Sequence, residues 1–375
     1  MNKTLRYIIE YPVVVLFFGI CAAMFAGYLI CPDNEYSQME NRFLQQRPAV
    51  SAPSVADGSY MESFETYTNE QVPFRDILVR CKAAFVWATG SSENNGIARG
   101  QRGLLFDKTM AVSANAHKNI AAIGDFAAGA GRDVYIAVAP TSVWVNAEDL
   151  PVGMPVLDEA ALADELGAAL AGSKNAHIID MYDILSENRS DNIYYRTDHH
   201  WTTRGAGYAY AAIAESMGLD RQDIGRYERH EVYDFLGTFY ARYKGPFVLA
   251  DTIEYYDVPV DELELSDRSE HDLIDTAGFG GFDKYGAFMY GNDGKCVVHA
   301  DKGIGKNLYI FKDSYANCLI PYLVMNYDNI TVIDLRYFGG SVSEEIAGDE
   351  DADILLVYNM SFINDDNHFY KLVSR

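Results

Sequence analysis

The sequence has few positive charges and no closely spaced cysteine pair, and each shortage excludes a class of protein. Its 375 residues include 30 Lys and Arg against 54 Asp and Glu, a formal net charge of −24. A protein with this charge repels phosphate backbones, so nucleic acid is not an expected partner. The five cysteines include no Cys-x-x-Cys pair, which argues against a disulfide scaffold and against a cysteine metal site.

The sequence also lacks internal repeats, heptad arrays and low-complexity tracts, so a solenoid or a coiled coil is not expected. The hydrophobic content of 49% in a chain of this length instead predicts a large buried core. Tyrosine is abundant, with 27 residues. Tyrosines are typical of sugar-binding surfaces and also of buried cores, and composition leaves both interpretations open.

One long apolar run stands near the N-terminus. Residues 12–31 carry no charge, and about 20 apolar residues cross the hydrocarbon layer of a membrane. Lys3 and Arg6 precede the run and Asp33 and Glu35 follow it, so the positive-inside rule predicts a cytoplasmic N-terminus and an extracytoplasmic remainder. A cleaved signal peptide is the alternative, but no suitable cleavage site follows the run. We therefore predict an uncleaved, single-pass membrane anchor.

The rest of the chain predicts one large α/β domain. We assign residues 1–11 to a cytoplasmic tail, 12–31 to the anchor, 32–57 to a stalk and 58–375 to the folded domain. Buried strands rich in Ile, Val and Leu alternate with helices in this domain, which predicts a mostly parallel sheet covered on both faces. Residues 220–305 break the alternation, and we interpret them as a cap or insertion over the carboxyl edge of the sheet.

A serine is predicted at that edge. Ser314 follows the buried strand 307–311 and begins a helix. Ligands of parallel α/β sheets bind outside the carboxyl ends of the strands, and a backbone N–H at a helix start can stabilise an oxyanion. The alternative is a helix cap, because Ser and Asp at the start of a helix often serve only to cap it. Asp313 and Ser314 alone do not decide between these interpretations.

A second motif, from Thr197 to Thr202, supplies a base. Residues i and i+2 of an extended loop share a side, which pairs Asp198 with His200 and makes His199 face away. A carboxylate-held imidazole can deprotonate a serine hydroxyl, so the two motifs predict acyl transfer. Trp201 is predicted to pack beneath the loop and restrict the ring. Two imidazoles and a carboxylate are also possible zinc ligands, but no histidine at ligand spacing completes the site, and no metal is predicted.

Several short signatures occur in a fixed order along the chain. They are Glu40-Asn41-Arg42, Asp57-Gly58, Phe64-Glu65, Phe74-Arg75-Asp76, Asn95-Gly96, Gly103-Leu104-Leu105, Asp198-His199-His200-Trp201, Lys312-Asp313-Ser314-Tyr315-Ala316-Asn317 and Asp334-Leu335-Arg336-Tyr337-Phe338. With them the chain, from about Glu40 onward, resembles the DHHW family of bacterial envelope proteins. These are relatives of the SGNH-hydrolase-like proteins that O-acetylate alginate and other exopolysaccharides. The resemblance implies a three-layer, SGNH-hydrolase-like (flavodoxin-like) fold.

The resemblance also implies site residues. It predicts a triad of Ser314, His200 and Asp198, with a second oxyanion donor from a glycine backbone or an asparagine side chain. Gly237 and Thr238 are the first candidates for that donor, and Asn317 and Asn292 are the next. The sequence has no Gly-Asp-Ser block of the usual SGNH type. Arg336 has two possible roles, in which it either holds an anionic acceptor or pairs with Asp334.

The implied activity is that of an extracytoplasmic acetyltransferase or acetylesterase acting on a polysaccharide. Transfer would need a multipass membrane acyltransferase to deliver acetyl groups across the bilayer, and no cofactor is predicted. The acidic composition fits neutral or cationic glycans better than polyanions. A non-catalytic carbohydrate-binding or scaffold protein is the main alternative. A metal-dependent phosphoesterase is a weaker one, because the sequence shows no further Asp and His clusters.

Overall fold

A computed structural model describes residues 11–37, 39–40, 42–109 and 111–374. Lys3 and Arg6, which orient the predicted anchor, lie outside the described residues together with all but the last residue of the predicted tail. Asn41, in the first family signature, also lies outside them. The chain forms two compact units, one of residues up to 91 with 244–246, the other of residues 92–243 and 247 to the C-terminus.

The first unit is mainly helical. Its elements are α1 (Pro12–Ile30), β1 (Tyr36–Ser37), β2 (Arg42–Phe43), α2 (Ala52–Ala56), α3 (Ser59–Glu70) and α4 (Arg75–Ala88). Within the part of the chain that the structure describes, α1 is the helix long and apolar enough to cross a membrane. It corresponds to the predicted anchor. The stretch assigned to a stalk contains the antiparallel pair β1–β2 and the short helix α2.

The signature residues of the first unit form an ion-pair network. Glu40 accepts hydrogen bonds from Arg42 Nε at 2.8 Å and from Arg75 Nη1 at 2.6 Å. Arg42 Nη1 also donates to Glu70 Oε1 at 2.6 Å. Partial burial of Glu40 would raise the pKa of its carboxyl, but the two arginines lower that pKa overall. The Glu-Asn-Arg and Phe-Arg-Asp signatures therefore hold β2 against α3 and α4.

The second unit is built on an eight-stranded sheet with two small antiparallel additions. Its strands are β3 (Glu93–Asn94), β4 (Ile97–Arg99), β5 (Leu105–Asp107), β6 (Val134–Ala139), β7 (Ala176–Ile179), β8 (Arg229–Phe235), β9 (Asp251–Tyr256), β10 (Glu262–Glu264), β11 (Ser269–Glu270), β12 (Lys295–His299), β13 (Asn307–Lys312), β14 (Asn329–Ile333) and β15 (Asp353–Asn359). The main sheet has the order β11-β10-β12-β14-β13-β15-β6-β7. The strands from β14 to β7 in this order are parallel, and β12, β10 and β11 continue the sheet in antiparallel pairing.

The helices of this unit cover both faces of the sheet. They are α5 (Ala116–Gly129), α6 (Ser142–Val145), α7 (Glu159–Leu170), α8 (Tyr182–Glu187), α9 (Thr203–Ser216), α10 (Thr238–Tyr243), α11 (Ile320–Leu323), α12 (Val342–Ala347) and α13 (Met360–Asp365). Along β15, Leu355 and Val357 enter the core formed with α8, α9 and α11. Ile354, Leu356 and Tyr358 enter the core formed with α5, α7 and α13. A strand buried on both faces has to be apolar at successive positions, and the predicted mostly parallel α/β fold is confirmed.

The region 220–305 differs from the predicted cap. Its strands β10 and β12 hydrogen-bond into the main sheet, and β8 and β9 form a separate antiparallel pair. In β12, the buried Cys296 and Val298 alternate with partly exposed residues. That period of two is typical of an antiparallel strand with one buried face. Part of the region therefore extends the sheet, whereas the segment around Tyr285 reaches the predicted site.

Candidate active site

The end of β13 positions Ser314 at the carboxyl edge of the sheet. Ser314 opens a 3₁₀ turn, Ser314–Cys318, and the cap of that turn is Asp313. The Asp313 carboxylate accepts the N–H of Tyr315 at 2.8 Å and the N–H of Asn359, at the end of β15, at 2.7 Å. Burial raises the pKa of Asp313 to about 6, although both N–H groups favour its charged form. Because Asp313 caps the turn, the Ser314 hydroxyl is left for another partner.

That partner is His200. The distance from His200 Nε2 to Ser314 Oγ is 2.7 Å, and His200 Nδ1 lies 2.6 Å from Asp198 Oδ1. His200 and Asp198 are both buried. A carboxylate on Nδ1 selects the tautomer whose Nε2 is unprotonated, so Nε2 can accept the Ser314 proton. The structure thus brings the three predicted residues into one hydrogen-bonded series.

Asp198 is fixed through both of its carboxylate oxygens. Oδ1 also accepts the N–H of His200 at 3.0 Å, which closes a turn between the two residues. Oδ2 accepts the backbone N–H of Thr238 at 2.7 Å and the Thr238 hydroxyl at 2.9 Å. Burial alone would raise the pKa of Asp198, but the adjacent His199 and His200 and these hydrogen bonds hold it well below its ordinary value. Asp198 therefore stays ionised beside the imidazole.

Gly237 and Thr238 serve Asp198 and not an oxyanion, which corrects the sequence-based prediction. The Gly237 N–H donates to Thr197 Oγ1 at 3.1 Å, and the Thr238 N–H is the one that binds Asp198. A Cβ on Gly237 would lie 2.3 Å from Asp198 Cβ, so only glycine lets the carboxylate approach. The sequence indicated the right pair of residues with the wrong role, since it does not show which way their N–H groups point.

Asn317 also has a different role from the predicted one. Its side-chain oxygen accepts from Lys312 Nζ at 2.7 Å, and its amide nitrogen donates to the Gly291 carbonyl at 3.1 Å. Lys312 Nζ binds Asn292 Oδ1 as well, at 2.7 Å. Both asparagines therefore satisfy a buried lysine, which would otherwise be costly to bury. Within the described part of the chain the Ser314 N–H has no acceptor, so it is free to donate to a ligand.

His199 does not face away from the site. Its Nδ1 lies 2.7 Å from Thr238 Oγ1, and its ring centroid is 3.7 Å from that of His200. The turn closed by Asp198 abolishes the side-to-side alternation of an extended loop, on which the prediction rested. Desolvation by the groups packed around it and the neighbouring His200 lower the pKa of His199 to about 4, although its side chain is 39% exposed, and the ring is neutral near pH 7.

The ring that restrains His200 belongs to Tyr285. The Tyr285 and His200 rings are stacked, with centroids 3.7 Å apart and an angle of 11° between their planes. The Tyr285 hydroxyl donates to the Ser314 carbonyl at 3.0 Å. Trp201, predicted for this role, is buried beneath the loop as expected, but it donates to the Tyr315 carbonyl at 2.8 Å and packs on the Tyr315 ring. No motif in the sequence marks Tyr285 among the other tyrosines.

Arg336 adopts the structural one of its two predicted roles. Its Nε donates to Asp334 Oδ1 at 2.9 Å, and its Nη2 donates to Asp334 Oδ2 at 2.5 Å. Burial would lower the pKa of Arg336, but the Asp334 carboxylate raises it above the ordinary value. Arg336 borders the same cleft as Ser314. Its positive charge there is neutralised by Asp334.

Two groups of side chains in the described residues have the spacing of metal ligands. Asp198, His199 and His200 have ligand atoms within 4.8 Å of one another, and so does a partly exposed group of Glu228, His230 and Asp257. In the first group, Asp198 and His200 already use their ligand atoms in the hydrogen bonds to each other, to Ser314 and to Thr238. This arrangement suits proton transfer from a serine, and a metal ion would have to displace it.

Two protein-family models match the chain. The one described as "DHHW protein" matches residues 169–333, which include Asp198, His200 and Ser314. The resemblance to the DHHW family is confirmed. The other, described as "SGNH hydrolase-like domain, acetyltransferase AlgX", matches residues 99–235. No curated protein matches the chain.

Solved structures extend the resemblance to the fold. A DHHW family protein from Eubacterium siraeum matches with a TM-score of 0.62 and 23% identity, over 75% of this chain and 96% of that one. Bacillus cereus PatB1 with a sulfonyl adduct matches with a TM-score of 0.60 and 16% identity, over 74% of this chain and 98% of that one. PatB1 without the adduct matches equally well, at 0.60 and 17%. At these identities the likeness establishes the fold, and the function has to be argued from the site.

Proposed function

We propose that this protein is an extracytoplasmic serine acyltransferase or esterase that acts on O-acetyl groups of a cell-envelope or exported polysaccharide. The observation that carries the proposal is the hydrogen-bonded series from Ser314 through His200 to Asp198. Each member is held by further contacts that fix its direction, as a serine nucleophile requires. The match to an acetyltransferase family supports acetyl as the transferred group.

In the first half of the reaction, Ser314 Oγ attacks the carbonyl carbon of an acetyl donor while its proton passes to His200 Nε2. The carbonyl electron pair moves to oxygen, and the Ser314 N–H stabilises that oxyanion. The ionised Asp198 stabilises the imidazolium that forms. The tetrahedral intermediate then collapses, the donor alcohol leaves with the proton from His200, and Ser314 remains acetylated.

In the second half, a sugar hydroxyl or a water molecule attacks the acetyl group on Ser314. His200 removes the proton from this acceptor and returns it to Ser314 Oγ as the acyl bond breaks. A sugar acceptor makes the protein a transferase, and water makes it an esterase. The same residues perform both reactions, so the acceptor alone decides between them.

The apolar helix α1 supports the proposed location at the membrane. With the anchor in the membrane and the second unit outside, cytoplasmic acetyl donors do not reach Ser314. A multipass membrane acyltransferase that passes acetyl groups across the bilayer is therefore part of the proposal. The acidic surface of the chain, with its net charge of −24, is consistent with an acceptor that is not a nucleic acid.

A specific observation favours the non-catalytic alternative. The predicted second oxyanion donors, Gly237, Thr238 and Asn317, all bind other groups, which leaves the Ser314 N–H for the oxyanion. A protein that retains the fold to bind a polysaccharide would not need a complete oxyanion hole. The two functions differ in whether Ser314 reacts.

The test is acetate release from p-nitrophenyl acetate by the full chain in detergent. We expect Ser314→Ala and His200→Ala to lower the rate at least about 10³-fold, because each removes a member of a unit that acts together. Ser343→Ala and His271→Ala, at exposed positions, are the matched controls and should leave the rate unchanged. Equal rates in all five proteins would contradict the serine mechanism and favour the binding protein.

A further inference from the structure

A cavity of about 250 Å³ lies next to the candidate active site. It is formed beyond the carboxyl ends of β6 and β15, the edge where α/β sheets bind ligands. His199 and Tyr315 line it and also border the cleft that contains Ser314. A group bound in the cavity is therefore adjacent to the hydroxyl that would carry the acetyl group. Its volume is slightly below the usual range for small-ligand pockets, which starts at about 300 Å³, so it holds one small unit and not a chain.

The walls of the cavity carry carboxyl groups. Among the described lining residues, no cationic side chain is left unpaired. The carboxyl groups belong to Asp107, Glu159 and Asp365. The one cationic residue in the lining is Arg242, whose Nη1 donates to Asp107 Oδ2 at 2.7 Å. On the Ser314 side, Arg336 is likewise bound to Asp334. A negatively charged ligand would meet carboxylates and neutralised arginines, which is unfavourable in a partly buried space.

Two of these carboxyl groups lie in surroundings that disfavour their charged form. Glu159 is buried and accepts the N–H of Thr141 at 3.0 Å as well as the Thr141 hydroxyl. Burial raises its pKa to about 7 despite these bonds. Burial and the charge of Asp107 also raise the pKa of Asp365. Both shifts have the direction expected of surroundings in which negative charge is unfavourable.

The remaining lining suits a sugar ring. Val143, Leu157 and Phe239 present apolar surface, while Thr141 and Ser361 bring hydroxyl groups to the same space. Apolar walls with a few polar groups are typical of small-ligand pockets. The apolar residues would contact the carbon face of a ring, and the polar ones its hydroxyl groups.

We infer that this cavity binds a single uncharged or amino-bearing sugar unit of the acceptor and excludes uronates. The inference rests on the proposed function for its meaning, since it names the acceptor class for that same serine. It concerns binding, however, and binding can be measured without turnover. The carboxyl groups of the cavity set the specificity for the acceptor. They disfavour a negatively charged sugar in the space next to Ser314.

The test is calorimetric titration of the full-chain Ser314→Ala variant in detergent with three matched β-1,4-linked tetrasaccharides. They are the tetramers of N-acetylglucosamine, glucosamine and mannuronate, which are neutral, cationic and anionic. We expect the neutral or the cationic tetramer to bind at least about tenfold more tightly than the mannuronate tetramer at low salt. Mannuronate binding as tight as both others, or no binding of any tetramer, would overturn the inference.

Two variants locate the effect in the cavity. Asp365→Asn should reduce the discrimination against mannuronate severalfold, whereas Asp351→Asn makes the same change in net charge at an exposed position outside the lining and should not. Val143→Trp, at a partly exposed position in the wall, fills the cavity and should abolish binding of the neutral tetramer. Unchanged discrimination in Asp365→Asn together with unchanged binding in Val143→Trp would also overturn the inference.

Failure of the proposed function has a separate signature. If wild type and Ser314→Ala release acetate from p-nitrophenyl acetate at the same rate, the serine mechanism fails whatever the titrations show. If Ser314 is required but the titrations show no preference against mannuronate, the serine mechanism stands and the acceptor class is wrong.

Discussion

Asp198 and Asp313 are two buried carboxylates on either side of the same serine, and their pKa values shift in opposite directions. Asp198 lies beside two imidazoles and stays ionised. Asp313 binds two backbone N–H groups, and burial raises its pKa to about 6. Both carboxylates are buried, so their partners make the difference: two adjacent histidines and the hydrogen bonds from His200 and Thr238 lower the pKa of Asp198. One carboxylate is suited to stabilise charge during a reaction, and the other to hold a turn in place.

Apart from the loss of Ser314 or His200 themselves, the largest expected effect is that of Asp198→Asn. The amide cannot stabilise the imidazolium and can select the wrong tautomer of His200, so acetate release should fall about 10⁴-fold. The measurement is the initial rate with p-nitrophenyl acetate, and the melting temperature is followed in parallel. A loss below tenfold in a folded variant would mean that Asp198 is as structural as Asp313.

Gly237→Ala should displace Asp198, although Gly237 is not itself one of the three hydrogen-bonded residues. The added Cβ would lie 2.3 Å from Asp198 Cβ, so the carboxylate must move, and we expect the rate to fall about 10²-fold. Gly339→Ala is the matched control, because a Cβ there meets nothing within 4 Å. Equal rates in the two variants would show that the approach of Asp198 to Thr238 does not matter.

Asp313→Asn should mainly change stability and its dependence on pH. The folded pKa near 6 lies above the ordinary value of about 3.9, so the folded state binds the proton more tightly, and this group lowers stability as pH rises from about 4 to 6. The variant loses that pH dependence and one hydrogen bond of the cap, which costs about 1–2 kcal/mol. Thermal unfolding of both proteins from pH 4 to 7 measures the difference. Parallel curves would show that Asp313 is already ionised throughout.

The smallest expected effect is that of Tyr285→Phe. It removes the hydrogen bond to the Ser314 carbonyl and keeps the ring stacked on His200, so the rate should fall only a few-fold. Tyr285→Leu also removes the stack and should cost roughly tenfold more, with the larger part in the rate constant and not in KM. If the two variants behave alike, the stacked ring does not position the base.

The sequence predicted those parts of the molecule that depend on local pattern. Alternating helices and Ile-, Val- and Leu-rich strands predicted the parallel sheet, and the position of Ser314 after β13 followed from it. The pairing of Asp198 with His200 was also predicted, although the reason given was wrong. The two residues meet because Asp198 closes a turn onto the His200 N–H, and not because the loop is extended.

The rest depends on which groups meet in three dimensions. Nothing in the sequence shows that Thr238 would donate to Asp198, or that Asn317 would accept from Lys312. Tyr285 lies in a region whose strands were not predicted, and its contact with His200 joins residues far apart in the chain. Such contacts follow from the packing of the region 220–305 on the sheet, for which single-sequence patterns carry little signal.

The four hydrogen bonds that Asp198 accepts also make the activity depend on whether the surrounding loops stay folded. They join the backbone and ring of His200 to Thr238, and the whole of α9 and β8 lies between these two residues in the chain. Opening of the loop that carries Thr238 removes two of these hydrogen bonds and leaves one Asp198 oxygen without its protein partners. Local opening costs less free energy than global unfolding. It therefore sets the temperature at which the site loses activity. Loss of acetyl transfer on warming would therefore report the fraying of these loops while the sheet beneath them is still intact.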